Sequence, residues 1–61
     1  MNIVAKMEGD IALARWIDTK LNSGRLGQPE FDRLQAMQKR YETGTATNED
    51  DSYIAKTYFG Q

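Results

Sequence analysis

Apolar side chains at Ile3, Met7, Ile11, Ala14, Ile17 and Leu21 recur at steps of four, four, three, three and four. That spacing marks one face of a helix over about residues 3–22. Leu13 and Trp16 widen the face. Gly9 interrupts it at a cost of about 1 kcal/mol relative to alanine, and Asp10 offers an alternative N-cap just after the break. The helix therefore starts either near residue 3 or at Asp10; the unbroken stripe favours the longer form.

A second stripe, Phe31, Leu34, Met37, Gln38 and Tyr41, predicts a helix over about residues 28–42. Arg33, Lys39 and Arg40 fall mostly outside it. A third, shorter pattern runs over about residues 49–59. There Ile54 and Tyr58 face inward and Tyr53 and Phe59 flank them. Asn48 serves as its N-cap, and Glu49, Asp50 and Asp51 suit the positive end of a helix dipole.

The segment Gly24-Arg25-Leu26-Gly27-Gln28-Pro29-Glu30-Phe31 joins the first two helices. Gly24 suits the left-handed position after a helix end, with Leu26 folding back on the last turn. With Gly27 as N-cap, Pro29 enters the first turn, where a missing N–H costs nothing. Glu30 then stands at the third helical position, as in a capping box, and Leu26 and Phe31 form a hydrophobic staple. If Phe31 belongs to both staple and core, Phe31→Ala costs on the order of 3 kcal/mol. The fold class is all-α: a stapled helical hairpin plus a short C-terminal helix, one domain over residues 1–61.

Leu21, Gly24, Leu26, Glu30 and Phe31 resemble the SHOCT helical hairpin, a short bacterial helix pair. That resemblance covers residues 21–34 and implies oligomerisation or docking. The same stretch resembles a degenerate EF-hand, with Glu30 at the twelfth loop position, Gly24 at the sixth and Ser23 at the fifth. The first and third positions are then Thr19 and Leu21, and a calcium loop needs oxygen ligands there. Leu21 has none, so no metal site is expected.

Composition narrows the chemistry. The chain has no cysteine and no histidine, which removes disulfides, thiolate sites, the commonest zinc ligand and the commonest general base. Ser23 and Ser52 have no histidine to activate them. Neighbouring acids such as Glu30 and Asp32 diverge around a helix. We therefore expect no catalytic residues, no cofactor and no small-molecule substrate. The net charge is −1, against the basic excess of nucleic-acid binders. A helix-turn-helix reading of Arg25, Arg33, Lys39 and Arg40 is weakened further by the interleaved acids Glu30, Asp32 and Glu42. The first eight residues lack the apolar run of a signal peptide or membrane anchor, and a cytoplasmic setting fits the lack of cysteine.

What remains is an excess of large rings. Trp16, Tyr41, Tyr53, Tyr58 and Phe59 are many for so small a chain, and Trp and Tyr dominate interface hot spots. With Arg33 and Arg40, one heptad apart, they form the candidate protein-interaction set. The expected function is a non-enzymatic interaction module. It acts by self-assembly or by docking onto a larger complex, as phage and mobile-element modulators of host proteins do. A structural or accessory subunit is the alternative.

Overall fold

The computed structural model describes residues 3–60, with side chains from residue 8 onward. Three helices follow in order: α1 (Ile3–Leu21), α2 (Gln28–Thr43) and α3 (Asn48–Tyr58). The continuous apolar stripe prevails over Gly9, and α1 passes through both Gly9 and Asp10. Among the described residues no helix is long and apolar enough to cross a membrane.

The caps explain the boundaries. Gly24 adopts φ +71° after the end of α1, and the Ser23 N–H donates to the Lys20 carbonyl at 3.1 Å. Gly27 is the N-cap of α2 with extended backbone, and Pro29 lies in the first turn. At the far end Gly44 takes φ +73°. Its N–H donates to the Tyr41 carbonyl at 3.4 Å, and the Thr45 N–H donates to the Arg40 carbonyl at 2.8 Å. This pair of bonds closes the helix as a Schellman motif, which needs the left-handed backbone that glycine adopts without strain.

The N-cap of α3 is Thr47, one residue before the expected Asn48. The Thr47 hydroxyl accepts the Asp50 N–H at 3.2 Å, and an Asp50 carboxylate oxygen accepts the Thr47 N–H at 3.0 Å. Only Thr47 has an acid three residues later that also meets Arg40, so the reciprocal box forms there.

The core is Ala14 and Ile17 from α1, Leu34, Met37 and Tyr41 from α2, and Ile54 from α3. α1 and α2 pack as the expected hairpin, and α3 joins the core through Ile54. Leu21 and Leu26 pack against this core, as the cap reading requires. Gln38 also turns toward α1: its amide donates to the Ala14 carbonyl at 3.4 Å and to Asp18 at 3.3 Å.

Three expectations are corrected. Ile11 is 44% exposed, whereas Asp10 is 7% exposed. The buried face of α1 runs through residues 10, 14 and 17, which rotates Ile11 to the edge. Ile3 and Met7 of the same stripe have side chains outside the described residues. Glu30 does not close a box with Gly27, which has no side chain to offer; its carboxylate is taken by α3. Phe31 is only half-buried and lies outside the core cluster. Phe31→Ala should therefore cost about 1–2 kcal/mol, below the 3–5 kcal/mol of a fully buried phenylalanine. A urea-unfolding midpoint shifted by the full core value would show that Phe31 is a core residue.

Candidate functional site

α3 is held at both ends. At its start, the Arg40 guanidinium donates Nε to Asp50 Oδ2 at 2.8 Å and Nη2 to Asp50 Oδ1 at 2.7 Å. This two-point bond and the Thr47 amide hold the Asp50 carboxyl at about 2, against an ordinary 3.8, despite the opposing effect of burial. Beside it, the Tyr41 hydroxyl donates to Asp51 Oδ1 at 2.7 Å. Burial pushes the Tyr41 phenol well up, with Asp51, Asp50 and Asp10 adding to the rise.

Toward the other end, the Tyr53 and Tyr58 hydroxyls each donate to one oxygen of Glu30, in the first turn of α2. Burial and then the Glu30 bond raise both phenols. The Arg33 guanidinium lies 3.7 Å from the Tyr53 ring centroid, a cation–π contact. α3 thus runs antiparallel to α2 and parallel to α1.

This clamp sorts the seven candidate residues. Tyr41 has no exposed surface; it is a core ring, and the interface role expected for it is corrected. Arg40 and Arg33 are engaged with Asp50 and Tyr53, and Tyr53 is engaged with Glu30. Trp16, Tyr58 and Phe59 come together on the other side of α3. Trp16 and Tyr58 meet edge to face at 5.1 Å and 76°. Trp16 and Phe59 meet tilted at 5.2 Å and 45°. Phe59 remains 53% exposed.

Two clefts flank this aromatic ridge along the α1–α3 seam. One is lined by Trp16, Lys20, Arg25, Leu26 and Tyr58 among others. The Lys20 ammonium lies 5.5 Å from the Trp16 ring centroid and 5.6 Å from that of Tyr58. The other cleft is lined by Asp10, Leu13, Asp51, Ile54, Ala55 and Phe59 among others. Among the described residues, the first cleft carries the cations Lys20 and Arg25 and the second the exposed acid Asp51.

Sequence patterning does not single out Lys20, Asp10 or Asp51 as interface residues, and it sets Arg25 only in a basic edge with Arg33, Lys39 and Arg40. Each of the other three reads locally as an ordinary surface or capping charge. Only the parallel course of α1 and α3 gathers them into opposite ends of one surface.

Among the described residues no group of three or more acids is placed to hold a metal ion. The Ser23 hydroxyl donates to the Lys20 carbonyl and accepts the Arg25 N–H, so it serves the turn. Asp32 accepts the Gln28 side-chain amide at 2.8 Å, apart from the Glu30 clamp. Comparison of the chain with family models, curated proteins and solved structures finds no match in any of the three.

Proposed function

We propose that this chain is a small protein-interaction module whose contact surface is the α1–α3 seam centred on Trp16, Tyr58 and Phe59. It acts by associating with itself or with a larger protein, with no reaction of its own. The observation that carries this reading is Phe59, 53% exposed while its ring meets that of Trp16 at 5.2 Å. An exposed phenylalanine beside a half-buried tryptophan forms the apolar centre of a patch. Lys20, Arg25 and Asp51 give that patch a charged rim, the usual anatomy of an interface. Aromatic anchors at such a centre supply most of the binding energy.

The test is Phe59→Asp, a change at the exposed end of α3 that leaves the core intact. Light scattering reads self-association, and affinity co-purification reads foreign partners, with circular dichroism on the same samples. Unchanged helicity with association weakened by at least roughly tenfold is expected. The reading fails if the wild-type chain shows no association, to itself or to another protein, that depends on Phe59.

A further inference from the structure

The two ends of the α1–α3 seam carry opposite charge. At the cationic end, neither Lys20 nor Arg25 has a carboxylate partner among the described residues. The Lys20 ammonium sits instead over the Trp16 and Tyr58 rings. At the anionic end, Asp51 accepts the neutral Tyr41 hydroxyl, which leaves its charge in place. Arg40, at the end of α2, is committed to Asp50. From residue 10 to residue 20 of one helix is about 15 Å at 1.5 Å per residue. The Trp16–Phe59 ridge lies between the two ends.

We infer that the occupant of this seam is a second copy of the same chain, docked antiparallel about a two-fold axis through the Trp16–Phe59 ridge. The inference rests on the proposed interaction role and names its partner. A two-fold interface needs a patch that complements itself. Turning this seam end for end sets Lys20 and Arg25 against the acidic end of the other copy, and does so twice in one step. The aromatic ridge then meets its own copy at the centre, where it loses water. A parallel arrangement would set like charge against like. Size permits the arrangement, since a standard interface takes about 800 Å² per partner from a chain whose surface is 4504 Å².

Charge reversal in solution tests this on the full chain. The cationic end is reversed in Lys20→Glu/Arg25→Glu and the anionic end in Gly9→Lys/Asp51→Lys. Gly9 lines this cleft beside Asp51, and a Cβ added there meets nothing within 4 Å. Sedimentation equilibrium should find a wild-type dimer that weakens as salt is raised. Each reversed variant alone should dimerise at least roughly tenfold more weakly, within the range of close charge pairs at interfaces. Their equimolar mixture should recover a tight one-to-one heterodimer, because both ends are then complementary again. If the Asp51 change costs helicity, Gly9→Lys alone serves, since lysine is the better helix former.

A dimer indifferent to reversal, or a mixture that stays monomeric while both variants are folded, overturns the antiparallel second copy. A wild-type monomer that binds a foreign protein through Phe59 overturns it too, but leaves the interaction role standing. A monomer without Phe59-dependent association overturns both.

Discussion

Asp50→Ala is expected to lower stability by about 2–3 kcal/mol at neutral pH, because one carboxylate serves both α2 and α3. Its removal opens the capping box with Thr47, at about 1 kcal/mol for a missing cap. It also breaks the two-point bond from Arg40, which ties the end of α2 to the start of α3. Arg40 is 39% exposed in its side chain while Asp50 is 9% exposed, so solvent screens the pair in part. The depressed carboxyl gives an independent measure. A fall from 3.8 to about 2 corresponds to about 2 kcal/mol favouring the charged form in the folded chain. Because the folded value is the lower one, this stability is present above the ordinary carboxylate range. It is lost as pH falls from 3.8 toward about 2. Thermal unfolding followed by circular dichroism should place the variant roughly 10–20 °C below wild type at neutral pH, given 4–8 °C per kcal/mol in a domain of this size. Near the bottom of that pH range the gap should narrow to the part that does not depend on charge. A gap that stays the same at neutral and acid pH would mean that the Arg40 pair contributes nothing.

The parts of the fold that sequence reveals are those fixed by neighbours in the chain. Gly24, Gly27, Pro29 and Gly44 each act within a few residues, and the bounds of α1 and α2 fall within one residue of expectation. Periodicity assigns the helices but leaves their rotation loose. In α1 the steps of three and four fit a face through Ile11 as well as one through Asp10. Packing against α2 and α3, with Tyr41 at the centre, decides between them. A polar residue read from sequence takes the nearest available role, and there tertiary structure changes the answer most. Glu30 has the position of a capping-box acid, yet its hydroxyl partners are 23 and 28 residues further along. Nothing local distinguishes the two uses. Asp50 reads as one acid in an N-terminal run, whereas the structure joins it to Arg40 across the α2–α3 turn.

The interaction set divides for the same reason. Composition shows that there are more rings than a small core needs, but not which are surplus. The 0% exposure of Tyr41 and the Glu30 bonds of Tyr53 and Tyr58 account for three of them internally. Trp16 and Phe59 remain, with one face of Tyr58. The seam also carries charges that are favourable to the helices themselves. Asp51 lies in the first turn of α3 and Lys20 in the last turn of α1, where each complements the local helix dipole. Because α1 and α3 run parallel, these two dipole-favouring charges, Asp51 and Lys20, fall at opposite ends of the seam.

Glu30→Ala is the second large effect, and it connects stability to the contact surface. The carboxylate accepts two tyrosine hydroxyls from α3, and hydrogen bonds to a charged group contribute about 1.5–3 kcal/mol each. Both tyrosines are only partly buried, so water replaces some of what is removed, and about 2–3 kcal/mol in total is expected. Tyr58→Phe or Tyr53→Phe alone should cost about half as much, since each leaves one hydroxyl on Glu30. The double mutants with Glu30→Ala should cost little beyond Glu30→Ala itself, the signature of a shared interaction. Strict additivity in that cycle would break the clamp reading. The effect should extend beyond melting, because Glu30 holds Tyr58 where it meets the Trp16 ring. Freed from it, Tyr58 and Phe59 lose their fixed approach to Trp16, and ordering them becomes an added cost of association. Glu30→Ala should therefore weaken association even at temperatures where the chain remains helical, although Glu30 itself lies outside the proposed seam. Unchanged association in a folded Glu30→Ala chain would separate the Tyr58 clamp from the contact surface and confine that surface to Trp16 and Phe59.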